Sequence, residues 1–173
     1  MIYQPEKDSF LMQKAIQENI KNKEISVLEI GIGSGIQLQT LKDLEIKKIR
    51  GIDINPEAVE HCKKLGFKVW KSNLFLNVKN KYNLIIFNPP YLPKDKKEDK
   101  ESQLATTGGE KGSEIINKFL EQAKNYLTKE GRIFLLVSSL TKDLNLISYD
   151  KNLLIKEKLF FEQLEVYELT KTS

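Results

Sequence analysis

The chain has 173 residues, 40% hydrophobic and 30% charged, with a net charge of +4. This balance suits one globular domain that buries a core without disulfides or metal, and no apolar run approaches the roughly 20 residues that span a bilayer. Cys62 is the single cysteine, which excludes an intrachain disulfide and a cysteine metal cluster. The opening residues Met1-Ile2-Tyr3-Gln4-Pro5-Glu6 lack the regions of a signal peptide, so a reducing cytoplasm is the expected location.

Apolar periods of 3.6 and two residues alternate along the chain, the pattern of βα units around a parallel sheet. Phe10–Ile20 has helical spacing. Ser26–Ile30 reads as a buried strand that ends at glycines. A helix is predicted over Ile36–Leu44, and a second strand over Ile49–Ile54. Pro56 stands at a favoured first helical position, and that helix stops at Gly66. Phe67–Lys71 and Tyr82–Phe87 are a third and fourth strand, the latter cut off by Asn88-Pro89-Pro90. Leu92–Gly112 reads as a long loop, in which Lys94–Lys100 is a solvated charge run or a substrate-ordered lid. Helical spacing resumes over Ser113–Leu127, a fifth strand covers Arg132–Ser138, and Leu153–Leu169 holds two more strands around Leu159-Phe160-Phe161.

Val27–Gly35 runs from a strand through three glycines into a helix. Such a turn brings a ligand close to the main chain. A P-loop needs Lys-Ser/Thr after the last glycine, where this chain has Ile36-Gln37. A dinucleotide fingerprint asks for Gly or Ala at position 36. Glu29 repels a pyrophosphate but suits the cationic amino group of S-adenosylmethionine. Asp53, at the end of the second strand, is placed to accept ribose hydroxyls, a position that also fits NAD.

Asn88-Pro89-Pro90-Tyr91 is the most specific signal in the chain. Two prolines make a stiff exit from the fourth strand, in the crevice where open α/β sheets bind ligands. The Asn88 side-chain oxygen and the Pro89 carbonyl are acceptors for one N–H each of a planar –NH₂ group, and Tyr91 is placed to lie flat against it. Positioning and electrostatics then take the place of a strong base. Only Arg50 and Arg132 among 28 basic residues are arginine, which disfavours nucleic acid as direct substrate.

Together the glycine loop and Asn88–Tyr91 resemble the HemK-type release-factor glutamine methyltransferases, and most closely the short archaeal and eukaryotic branch. The resemblance runs from Tyr3 to about Leu169 and includes Tyr3–Leu11, Gly51–Val59, Gly108–Gly112, Leu136–Leu140 and Phe160–Leu164. It implies a Rossmann-like class I methyltransferase: a seven-stranded, mainly parallel α/β sheet with one antiparallel strand near the C-terminus. It also implies S-adenosylmethionine as cofactor, bound by Ser9, Glu29, Gly31, Gly33, Gly35, Asp53, Asn73, Leu74 and Asn88. Catalysis falls to Asn88, Pro89, Pro90 and Tyr91, on the glutamine amide of the Gly-Gly-Gln loop of a class I release factor. An adenine-amine methyltransferase and a non-catalytic cofactor-binding scaffold are the other readings.

Three departures stand out. Lys7 replaces the family's glutamate, Asn73 replaces an aspartate, and the segment between Ser139 and Asn152 is shorter than the family's helix and loop. His61 has no metal-spaced partner and reads as a helix-surface residue. Cys62 reads as a buried helix residue. Trp70 lies on the expected edge strand with Phe67 and Val69, flanked by Lys68 and Lys71. That edge is either a docking site for a small zinc-ribbon activator subunit, as the resemblance implies, or a protected monomer edge.

Overall fold

The computed structural model of the protein describes residues 1–91 and 106–173. The charge run Lys94–Lys100 lies outside the described residues. In chain order the elements are α1 (Lys7–Asn19), β1 (Ser26–Ile30), α2 (Ile36–Asp43), β2 (Lys48–Asp53), α3 (Pro56–Lys64), β3 (Val69–Lys71), β4 (Tyr82–Phe87), α4 (Glu114–Ala123), β5 (Leu127–Ser138), β6 (Tyr149–Lys158) and β7 (Gln163–Lys171).

The seven strands form one sheet in the order β3-β2-β1-β4-β5-β7-β6. β3, β2, β1, β4 and β5 pair in parallel, and β7 runs antiparallel to both β5 and β6. One reversed strand near the C-terminus is what the resemblance implied. From β1 the chain builds outward through β2 to β3, then returns to lay β4 on the other side of β1. That reversal opens a crevice at the carboxyl ends of β1 and β4, where Ile30 stands opposite both Ile52 and Phe87.

β1 and β4 are apolar nearly throughout because helices cover both faces of the sheet. Leu28, Ile85 and Phe87 pack with Ile116, Phe119 and Leu120 of α4. Alternate residues Val27, Leu84 and Ile86 pack on the other face, with Leu11, Met12 and Ile16 of α1 and Leu41 of α2. α3 closes a third cluster of Ile32, Leu38, Val59, Cys62 and Val69.

The structure corrects several boundaries. α1 starts at Lys7 rather than Phe10, because the Glu6 N–H donates to Ser9 Oγ at 3.4 Å and starts the helix before its apolar stripe begins. Of the expected strand Phe67–Lys71, only Val69–Lys71 pairs with β2. The helix expected to reach Leu127 ends at Ala123, passes through a 3₁₀ turn at Lys124–Tyr126, and delivers Leu127 to β5 opposite Tyr82. Leu127 is buried as the first residue of β5, so its apolar side chain continues the helical spacing without belonging to the helix.

The connection from β5 to β6 contains no helix. Leu144 and Leu146 lie instead against the α4 side of the core. Tyr149 Oη donates to the Leu120 carbonyl at 2.6 Å, and Asn117 Nδ2 to the Asp143 carbonyl at 2.9 Å. Among the described residues no helix is long and apolar enough to cross a membrane.

Candidate active site

The carboxyl ends of four parallel strands bring together the residues singled out in the sequence. β1 runs into Gly31, Gly33 and Gly35, whose φ values of 71°, 49° and 85° are all left-handed. At Gly35, the N-cap of α2, a side chain is doubly excluded: a Cβ there would stand 2.9 Å from Cys62 Sγ. Asp53 ties this turn to the next one. Its Oδ2 accepts the Gly33 N–H at 3.0 Å, and its Oδ1 accepts the Asn55 N–H at 2.8 Å. Asn55 in turn caps α3 by accepting the Glu57 N–H.

His61 and Cys62 support the loop from α3. His61 Nε2 lies 3.2 Å from the Ser34 carbonyl, so this half-buried ring belongs to the loop's scaffold. Burial pushes the Cys62 thiol up to about 12, with Glu29 and Asp53 adding to the shift. A thiol so far from ionisation is inert. Among the described residues no cluster of three or more His, Cys, Asp or Glu side chains can hold a metal ion.

Glu29 is the site's unusual charge. Only 3% of it is exposed, and its Oε2 has no hydrogen-bond partner among the described residues. Burial raises its pKa well above the ordinary carboxylate range, the nearby Asp53 raises it further, and a backbone bond from Leu38 opposes them. Asp53 is raised too, by burial, against the pull of its backbone N–H donors. Among the described residues, no lysine or arginine figures in either shift.

β4 ends at Phe87, and Asn88 turns back beneath the N-terminal segment. Its Nδ2 donates to Asp8 Oδ2 at 3.1 Å, whereas its Oδ1 is buried with no partner among the described residues. Pro89 is buried, and Pro90 and Tyr91 are half-buried. Burial raises the Tyr91 hydroxyl, and Asp8, Glu162 and Glu6 add to it. The Gly-Gly loop packs directly on this turn. A Cβ at Gly108 would lie 2.2 Å from the Gly112 carbonyl oxygen and 2.5 Å from that of Pro90, so only glycine allows the approach. Neighbouring Thr107 also buries an Oγ1 that has no partner among the described residues.

The remaining sequence candidates are distributed around these turns. Ser9 is buried in the first turn of α1, where its hydroxyl donates to Asp8 Oδ1 at 3.3 Å and its carbonyl accepts from Gln37 Nε2 at 2.8 Å. Asn73 is exposed beyond β3, and Leu74 is buried with a φ of 47°. The Ser72 hydroxyl holds that turn by donating to the Leu74 carbonyl at 2.7 Å. Trp70 stands on edge strand β3, half-buried, and its Nε1 donates to the Asn77 carbonyl at 3.1 Å. Lys7 is exposed.

Residues 6–148 match the family described as Methyltransferase small domain. The chain belongs to that family. A Methanocaldococcus jannaschii protein, named for protein N5-glutamine methyltransferase activity, is 39% identical over 166 residues, covering 91% of this chain and 83% of its own. The release factor glutamine methyltransferase of Streptococcus pneumoniae is 31% identical over 149 residues, covering 78% of this chain and 53% of its own, so the chain spans about half that relative. In fold, the chain resembles a chain of the E. cuniculi Mtq2–Trm112 complex, with a TM-score of 0.78 at 22% identity and 99% of each chain covered. That complex is described as responsible for methylation of the translation termination factor eRF1.

The family is one of methyltransferases, and the residues present fit S-adenosylmethionine, the methyl donor that the resemblance implies. Glu29 Oε2 is buried with no partner among the described residues, and burial together with the nearby Asp53 disfavours its ionised form until a cation stands beside it. An ammonium group answers both, whereas a pyrophosphate would be repelled.

One residue of the site was missed among the candidates. Asp8 lies in the opening signature, but nothing local marks it as more than an acidic residue in the first turn of a helix. Its bond to Asn88 joins positions 80 residues apart.

Proposed function

We propose that this methyltransferase modifies the side-chain amide nitrogen of glutamine in the Gly-Gly-Gln loop of a class I release factor. The observation that carries this reading is Asn88 Oδ1, a buried acceptor that has no partner among the described residues and sits in the turn directly after β4. The names of the relatives support the choice of glutamine. Near the same turn, the β6–β7 hairpin presents Phe160 and Phe161, 92% and 84% exposed. The hairpin is linked to the turn because Glu162 accepts from Ser138 Oγ, while Thr141 Oγ1 donates to the Tyr91 carbonyl at 3.0 Å. Exposed aromatic surface of this kind suits a macromolecular acceptor.

Bound S-adenosylmethionine supplies an electrophilic methyl group. Glu29 would hold its ammonium group, Asp53 the ribose hydroxyls, and Asn73 and Leu74 the adenine. Gly31, Gly33 and Gly35 would keep the main chain close, with Ser9 fixing the wall behind them. Asn88 Oδ1 and the Pro89 carbonyl each accept one N–H of the substrate amide. They orient the nitrogen and shift electron density onto it, while Tyr91 faces its plane and the Pro89-Pro90 pair keeps the turn stiff. A partner subunit of the zinc-ribbon type would dock along the open edge of β3. Exposed Leu76 and the half-buried Trp70 lie near this edge.

Labelled methyl transfer tests the whole reading. The acceptors are a release factor, its Gln→Ala variant in the Gly-Gly-Gln loop, and adenine-containing DNA, each with and without a co-expressed zinc-ribbon subunit. Label on glutamine that the variant abolishes, and that rises with the partner, is the expected result. Label on adenine would favour the other planar amine, and cofactor binding without transfer to any acceptor would favour a scaffold. Full activity without the partner, unchanged in Trp70→Asp, would remove the subunit.

Glu29 makes cofactor binding pH-dependent. Its raised pKa means that the free protein holds a proton on it above the ordinary carboxylate range, and an ammonium ligand favours the ionised form. Binding therefore releases protons, and affinity rises with pH up to the raised pKa. Stability of the free protein has the opposite slope: it is fully present below the ordinary Glu pKa and declines as pH rises through the folded value. Calorimetry in buffers of different ionisation enthalpy should show this release, and Glu29→Gln should remove most of it, leaving only what Asp53 contributes. Equal proton release in both proteins would assign it elsewhere.

A further inference from the structure

We propose that Asp8 is a positioning residue that fixes which end of the Asn88 carboxamide faces the substrate. The inference rests on the proposed acceptor role of Asn88 and names the group that makes the role possible. Asn88 carries a donor and an acceptor on one planar group of nearly symmetric shape, so its orientation is decided by its neighbours. On one side stands Asp8, 5% exposed, with Oδ2 at 3.1 Å from Asn88 Nδ2. An ionised carboxylate only accepts hydrogen bonds. The reversed carboxamide would set two oxygens against each other there, and would point an NH₂ group at the substrate's own NH₂.

The carboxylate is itself anchored by donors. The Ser9 N–H reaches Oδ1 at 2.7 Å and Ser9 Oγ at 3.3 Å. Tyr3 Oη lies 3.1 Å from Oδ1 and 3.2 Å from Oδ2. The first turn of α1 thus presents an acceptor to Asn88 and leaves the other end of the carboxamide, the buried Oδ1, for the substrate. Asn88 selects the substrate's N–H because Asp8 has already taken its own.

An exchange of the two groups tests this. In Asp8→Asn, the backbone N–H of Ser9 claims the new side chain's oxygen, so its NH₂ faces Asn88 and turns that carboxamide around. The expected result is a fall in kcat of about a hundredfold or more, with cofactor affinity changed less than about threefold. In the double variant Asp8→Asn/Asn88→Asp, an NH₂ at position 8 again meets an oxygen at position 88. A second oxygen is left for the substrate, and the charge of the pair is unchanged. Activity should recover at least about tenfold over Asp8→Asn, which a merely structural Asp8 would not produce.

Nuclear magnetic resonance gives a readout independent of the acceptor. The side-chain NH₂ signals of Asn88, identified by their loss in Asn88→Asp, should include one proton protected from exchange in the wild type and should move in Asp8→Asn. An unprotected wild-type signal, a kcat in Asp8→Asn within about threefold of wild type, or a double variant no better than the single would overturn the proposal. If the wild type labels no glutamine, the acceptor assignment falls, while the resonances still judge the role of Asp8.

Discussion

Replacing Asn88 by alanine is expected to lower kcat by about a hundredfold or more, the usual effect of removing one oriented polar contact at a reacting group. The fold should survive. Asn88 is half-buried in a turn, its side chain bonds to Asp8 among the described residues, and that carboxylate keeps Tyr3 and Ser9 as donors. Loss of the bond should therefore cost about 1–3 kcal/mol of stability. Steady-state kinetics beside thermal melting separates the two effects, and near-normal turnover would remove the proposed role. Asn88→Asp is a sharper probe: it keeps an acceptor but sets a second carboxylate against Asp8, so it should lose both activity and stability.

Asp53→Ala is expected to weaken S-adenosylmethionine binding at least tenfold, one or two charge-assisted hydrogen bonds each contributing about 1.5–3 kcal/mol. The structure adds a second cost. The same carboxylate accepts the Gly33 and Asn55 N–H groups, so alanine also unties the glycine turn from the start of α3. Relief of the repulsion with Glu29 offsets part of this loss. Asn73→Asp is expected to leave affinity equal or better, because Asn73 is exposed and its carbonyl already resembles one carboxylate oxygen. Calorimetry on the two variants decides between them, and normal affinity in Asp53→Ala would end the ribose assignment.

β1 and β4 were legible to the residue, Ser26–Ile30 and Tyr82–Phe87. Both are short apolar runs cut off by glycine or proline, and such punctuation acts through the backbone of the residue itself. The parallel architecture followed from alternating periods, and Cys62 is the buried helix residue expected of it. Less legible were places where one side chain suits two states. Leu127 satisfies both the stripe of α4 and the first pair of β5, and only contact with Tyr82 decides for the strand. Phe67 looks like a strand residue, yet pairing with β2 begins at Val69.

What the sequence by itself determined is the set of turns and the residue types they carry: the glycine loop, Asp53 after β2, and Asn88–Tyr91 after β4. Their chemistry is local, written in glycines that accept left-handed backbone and prolines that refuse the sheet. The tertiary structure alone decided how those side chains are biased. It buried Glu29 beside Asp53, which lifts its pKa, and it tied Trp70 to the Asn77 carbonyl. It also laid Asp8 against Asn88. Electrostatic bias and carboxamide orientation depend on distance through space, and chain order does not carry that distance until the sheet brings the strand ends together.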